Sequence, residues 1–144
     1  SPTTQLRLVA VRSERGALIL DDTYNASPES TLAALNLLSE LEGFKVAVLG
    51  DMLELGPYEE QGHEMVGVRA AEVARELVTI GERARVIATA AREAGMSSRR
   101  IHEFANSQQA IDYLLQRLSD QDVVLIKGSH GMRMDRIVTA LEAI

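Results

Sequence analysis

The sequence predicts an α/β fold: a mostly parallel, Rossmann-like open sheet of about six strands, flanked by about five helices, with an N-terminal hairpin at one edge. Three observations predict it. Short apolar runs alternate with longer amphipathic segments along the whole chain. Four of those runs, starting at Ala17, Lys45, Leu77 and Val123, are continuously apolar, as strands covered on both faces must be. The alternation of strand and helix implies right-handed crossovers and helices on both faces.

Strands are expected over Leu6–Val11, Ala17–Leu20, Lys45–Leu49, Leu77–Ile80, Ile101–Phe104 and Val123–Ile126. The first two are separated only by Arg12 to Gly16, which is short enough for a hairpin. The first helix should begin at Pro28 with Ser27 as N-cap, carry Leu32, Leu35 and Leu38, and close near Gly43. A second is expected from about Glu59 to Ala74, and a third from about Arg83 to Ala94, stopped by Gly95. Asn106 or Ser107 caps the fourth, whose stripe is Ala110, Ile111, Leu114, Leu115 and Leu118. The last carries Met134, Ile137, Val138 and Leu141.

Composition narrows the function classes. The chain has 144 residues, a size that suits one domain with a substantial core. Aromatics make up only 3%, so Leu, Val, Ile and Ala must build that core. With no Cys, neither a disulfide scaffold nor a thiolate metal site is available. A net charge of −6 argues against nucleic acid as the main partner. No apolar run nears the roughly 20 residues that span a bilayer, so no membrane insertion is expected. The chain opens on Ser1 rather than Met, with no visible signal peptide.

In a parallel sheet, the strand C-termini share one edge and feed loops there, and ligands bind at such edges. Three of the expected loops are polar and distinctive. Asp21 to Pro28 offers Asp21, Asp22, Tyr24 and Asn25. A carboxylate there could accept ribose hydroxyls or help hold a metal; equally, Asp21 or Asp22 could cap amides in a tight turn. Gly50 to Pro57 offers Asp51 and Glu54, which could orient a cationic group or simply belong to a Gly-bracketed connection. Lys127 to Gly131 sets a cation at the end of a buried strand. Burying an ammonium is expensive without a partner. Lys127 is therefore read either as an anion site, with free amides near Gly131, or as the structural partner of an acidic loop.

Several chemistries lack their motifs. His63, His102 and His130 have no ligand spacing, so no metal site is expected. Ser129 beside His130 is not a nucleophile elbow, since G-x-S-x-G is absent. Neither G-x-G-x-x-G nor the P-loop G-x-x-x-x-G-K-S/T occurs. A phospho-receiver domain would use a set like Asp21, Asp22, Asp51, Thr79 and Lys127. Here Asp51 comes one unit too early for the acceptor, and Gly128 stands where receivers usually have Pro.

The ordered motifs resemble the C-terminal domain of the Mur ligase family, in its branch that adds D-alanyl-D-alanine. Asp21 to Pro28 is similar to D-D-x-Y-N-A-N-P, and Val48 to Gly56 to V-x-G-D-M-x-E-L-G. His63 and Gly67 follow as H-x-x-x-G, and Lys127-Gly128-Ser129 as K-G-S. Arg7 stands where the family has an Arg shortly after the central-domain linker. Two positions depart from the pattern: Ser27 replaces an Asn, which keeps an N-cap, and Leu6 replaces a common Gly. Motifs of other amide ligases, D-Y-A-H with D-N-P-R, or D-G-A-H-N-P, are absent.

The resemblance implies a single C-terminal domain, residues 1–144, of a cytoplasmic bacterial ligase of peptidoglycan synthesis. Its UDP-binding and central P-loop domains would lie outside this chain. Substrates would be ATP, UDP-N-acetylmuramoyl-tripeptide and D-alanyl-D-alanine, with Mg2+ held mainly by the central domain. ATP would phosphorylate the tripeptide carboxylate, and the dipeptide amine would attack the acyl phosphate. Arg7, Asp22, Tyr24 and Asn25 are the expected ATP-binding residues. Asp51, Glu54, Lys127, Ser129 and His130 are candidates for the dipeptide. No residue of this domain is assigned a catalytic role, and the isolated chain is expected to be an inactive monomer. Another Mur-type ligase is the alternative.

Overall fold

The computed structural model describes residues 7–144, so Leu6 lies outside the described residues. The expected hairpin is present. Strand β1, Val9–Arg12, runs antiparallel to β2, Leu18–Asp22, with Val9 opposite Asp21 and Arg12 opposite Leu18. Gly16, in the left-handed region at φ 105°, closes the turn between them. The remaining strands are β3, Phe44–Gly50; β4, Glu76–Ile80; β5, Ile101–Phe104; and β6, Asp122–Lys127. Among the described residues, these six strands form one sheet in the order β1-β2-β6-β3-β4-β5, parallel apart from the hairpin.

Strands β2, β3 and β6 run past the last apolar residue predicted for them. Backbone pairing is the reason: Asp22 pairs with Lys127, and Leu49 pairs with Lys127 from the other side. Ladder hydrogen bonds ignore side-chain polarity, so the polar end residues stay in the sheet.

Among the described residues, four helices connect the strands, α1, Pro28–Ser39; α2, Glu59–Val73; α3, Arg85–Glu93; and α4, Ser107–Arg117; a fifth, α5, Asp135–Glu142, follows β6. Ser27 caps α1 as expected. Its Oγ accepts from the Ser30 amide, and Ser30 Oγ accepts in return from the Ser27 amide, each at 3.0 Å. Asn106 caps α4 through the Gln109 amide. Helix α1 ends at Ser39, short of the expected Gly43, which instead turns the chain into β3 at φ 128°.

The strand order dictates the layers. From β2 to β5 the chain moves across the sheet in one direction, so α1, α2 and α3 share a face. The return from β5 to β6 sends α4 to the other face, where α5 joins it. Leu20, Leu35, Leu38, Leu49, Leu77 and Ile87 fill the first interface, each 2% exposed or less. Ile19, Val48, Leu114, Ile126, Ile137 and Leu141 fill the second with no exposure at all. Each such side chain stabilises the fold by about 1.5–3 kcal/mol relative to exposure.

Helices α2 and α3 approach very closely, and Gly67 permits it. A Cβ there would lie 2.4 Å from the Ile87 carbonyl oxygen. The glycine of the H-x-x-x-G motif is therefore a packing requirement.

Candidate functional site

Strand β6 lies between β2 and β3, yet its following helix α5 packs on the opposite face from α1 and α2. The chain therefore diverges to both faces on either side of β6. Crevices at such switch points are where open α/β sheets bind ligands. The loops leaving β2, β6 and β3 are the three polar loops expected from sequence, and they meet at this point.

The Lys127 ammonium donates to Asp22 Oδ2 and to the Asn25 carbonyl, both at 2.9 Å. Its side chain is 2% exposed and that of Asp22 is 4%. The two residues are parallel-strand neighbours in register, so their side chains leave the sheet on the same face. Among the described residues, Asp22 Oδ1 has no hydrogen-bond partner. Among the described residues, the carboxylate is thus held at one oxygen only.

Exposed groups surround this buried pair. Tyr24 is 59% exposed, and the Arg7 guanidinium stacks 4.2 Å from its ring centroid. Asn25 is exposed and uses its Oδ1 on the Ala26 amide. Asp21 turns inward on its own loop, accepting from the Thr23 amide and hydroxyl.

The other two loops are laced together. Ser129 Oγ accepts from the Leu53 amide at 3.1 Å, and the Ser129 amide donates to the Asp51 carbonyl. The free amides expected near Gly131 are not at a helix start. Residues His130–Met132 form a 3-10 turn, and α5 begins only at Asp135. The backbone spends one residue, Arg133 at φ 53°, turning into that helix.

Asp51 is buried and committed to structure. Its Oδ1 accepts from the Ala84 amide at 2.7 Å, where α3 begins, and Oδ2 lies 3.6 Å from Arg83. A Cβ on Gly81 would sit 2.4 Å from this carboxylate, and Gly81 adopts φ 110° to pass it. Arg83 also pairs with Glu59 at 2.9 Å, and chiefly that hydrogen bond raises its pKa. By contrast, Glu54 and His130 are exposed. Glu54 adopts a left-handed φ of 62°, an uncommon conformation for a non-glycine residue.

Sequence reasoning gave His63 a motif but no role. Its ring is fully buried; Nε2 accepts from the Met52 amide at 3.0 Å and Nδ1 faces the Glu59 carbonyl at 2.7 Å. An amide can only donate and a carbonyl can only accept, so the ring is neutral with its proton on Nδ1. His63 thereby ties the second loop to α2. Arg83 was missed altogether, since its partners are distant in sequence and no spacing signals them. Among the described residues, no three His, Asp or Glu side chains gather to hold a metal.

A fold with this edge site defines a class, and the comparisons identify it. Residues 6–130 match the family described as Mur ligase, glutamate ligase domain, and the chain belongs to that family. UDP-N-acetylmuramoyl-tripeptide–D-alanyl-D-alanine ligase of Bacillus subtilis (strain 168) is 35% identical over 141 residues, which are 96% of this chain and 31% of that protein. The Escherichia coli (strain K12) protein of the same name is 36% identical over 140 residues, 94% of this chain and 29% of that protein. The crystal structure of MurF ligase from Thermotoga maritima in complex with ADP superposes with a TM-score of 0.78 at 30% identity, covering 97% of this chain and 31% of that one. The chain therefore spans less than a third of the length of these relatives. No helix among the described residues is long and apolar enough to cross a membrane.

Proposed function

We propose that this chain is the C-terminal domain of an ATP-dependent amide ligase acting in peptidoglycan synthesis in the bacterial cytoplasm. The full-length enzyme joins D-alanyl-D-alanine to UDP-N-acetylmuramoyl-tripeptide. The observation that carries this reading is the Asp22–Lys127 pair at the switch-point crevice. It joins the Asp21–Pro28 and Lys127–Ser129 motifs, in a chain 35% and 36% identical to two proteins that carry the name of this ligase.

Asp22 offers its open oxygen to the ribose hydroxyls of ATP. Arg7 and Tyr24 form an exposed cationic and aromatic platform beside it, and Asn25 faces the phosphates. Lys127 acts on the nucleotide side through position, fixing Asp22 and the Asn25 backbone. Glu54 and His130 are the exposed candidates for the dipeptide. Asp51 and Ser129 hold the loop that carries Glu54, so their part in dipeptide binding is indirect. Mg2+ would be held with the ATP phosphates mainly by the upstream domains.

The domain contributes by closing. Holding the dipeptide amine against an acyl phosphate removes much of the entropic barrier, and a dry crevice keeps water from the intermediate. Without its upstream domains this chain neither hydrolyses ATP nor ligates, and it is a monomer.

The test is the full-length protein supplied with ATP, UDP-N-acetylmuramoyl-tripeptide and a panel of amine acceptors. Phosphate release that requires D-alanyl-D-alanine supports the reading. Release driven by a single amino acid instead assigns the chain to another Mur-type ligase. Turnover by the 144-residue chain alone contradicts the proposed division of labour.

A further inference from the structure

The edge of the sheet opposite the Asp22–Lys127 pair carries a concave site. There the starts of β3, β4 and β5 surround a cavity of about 390 Å3, lined by Phe44, Arg75, Arg99, Arg100, His102 and Arg117. Glu76 and Tyr113 complete the wall.

The acidic groups at this site are already used. Arg117 donates to Glu76 Oε1 at 2.9 Å and, as a fork, to both Asp122 oxygens at 2.7 and 3.1 Å. Glu76 also receives the Tyr113 hydroxyl and lies 3.1 Å from His102 Nε2. Both carboxylates are nearly buried, Glu76 at 6% and Asp122 at 3% exposure.

Among the described residues, three other guanidiniums make no ion pair. Arg75, Arg99 and Arg100 are exposed, and among the described residues none has a carboxylate within ion-pair distance. Arg75 and Arg117 lie over the Phe44 ring, each 5.6 Å from its centroid, which holds both at the cavity wall. In a chain of net charge −6, four arginines gather around this hollow, where the carboxylates of Glu76 and Asp122 are nearly buried and already paired with Arg117. Like charges brought together repel unless an anion joins them, and guanidinium forks match tetrahedral oxyanions in shape and charge.

We propose that this cavity is an oxyanion site for a compact phosphate-class ligand carrying two or more negative charges. It lies across the sheet from the proposed ligase crevice and stands independently of that assignment. The phosphates belong either to a free inorganic ion or to a nucleotide.

The probes are inorganic phosphate, pyrophosphate and ADP, titrated into the isotopically labelled chain and followed through arginine side-chain and backbone amide resonances. Pyrophosphate should produce saturable shifts at Arg75, Arg99, Arg100 and His102. The Arg99→Gln/Arg100→Gln variant should weaken its binding by roughly tenfold or more, as loss of charged hydrogen bonds requires. These two side chains are exposed, so the fold should persist; Arg75→Gln supplies a second test from another element. ADP acting on the same arginines with similar affinity identifies a nucleotide as the source, and pyrophosphate acting alone identifies the free ion. The proposal is overturned if shifts never saturate, if the double variant binds as tightly as the wild type, or if the shifts centre on Tyr24 and Asn25.

Discussion

The Lys127 ammonium sits 2.9 Å from Asp22 Oδ2, and neither side chain is more than 4% exposed. Removing the cation alone strands a buried carboxylate, which costs about 3–5 kcal/mol. Lys127→Met should therefore lower stability by that amount in urea unfolding of the chain. Asp22→Asn combined with Lys127→Met should recover most of the loss, because neither charge remains. In the full-length ligase, Lys127→Met should impair ATP use at least as much as dipeptide use. A selective rise in KM for D-alanyl-D-alanine would instead put Lys127 on the dipeptide carboxylate.

Arg7 is held differently. It is exposed and touches the rest of the domain through its stack on Tyr24. Arg7→Ala should leave stability within about 0.5 kcal/mol of the wild type. In the full-length ligase, losing a charged hydrogen bond to the nucleotide, worth about 1.5–3 kcal/mol, should lower kcat/KM for ATP by roughly 10- to 150-fold. Steady-state kinetics with ATP varied checks this, and unchanged kinetics would remove Arg7 from the nucleotide site.

Gly67 reverses an ordinary expectation. In an open helix interior, Gly→Ala stabilises by about 1 kcal/mol. Here the new Cβ would meet the Ile87 carbonyl oxygen at 2.4 Å and the Ala90 Cβ at 2.8 Å. Neither is the free end of a flexible side chain, so α2 and α3 must separate. Gly67→Ala should destabilise by about 1–3 kcal/mol, read from the shift in the urea midpoint.

Tyr113 sets an alkaline limit. Burial, then its hydrogen bond to Glu76 and the charge of Glu76, raise its pKa above the usual 10.0, although Arg117 opposes the rise. The folded chain therefore keeps a proton that the unfolded chain gives up. The stabilisation is complete below about pH 10 and declines as pH climbs beyond it. Urea midpoints compared between wild type and Tyr113→Phe from about pH 8 to 11 should show the wild type losing more stability over the last unit. Parallel curves would place the limit on another group.

Much of this molecule was legible from its residues. Continuous apolar runs marked the buried strands, and Ser27-Pro28 and Asn106 marked helix starts, because both signals are local. The ordered motifs from Asp21 to Ser129 were also expected to share one edge of the sheet, and their loops do, since a parallel sheet puts every strand C-terminus there. Strand ends were misjudged by a residue or two, because ladder pairing carried Asp22 and Lys127 into the sheet regardless of polarity.

What the chain could not reveal locally was which charges meet. Lys127 was read either as an anion site or as the partner of an acidic loop. Only the placement of β6 beside β2 reveals its acidic partner, bringing together residues 105 positions apart. The same holds for Arg83 on Asp51, for the bridge that His63 makes between the Met52 amide and the Glu59 carbonyl, and for the arginines gathered at the opposite edge. The physical reason is common to all: periodicity records which side chains leave water, but charge pairing is decided by distances that exist only after the strands have taken their order.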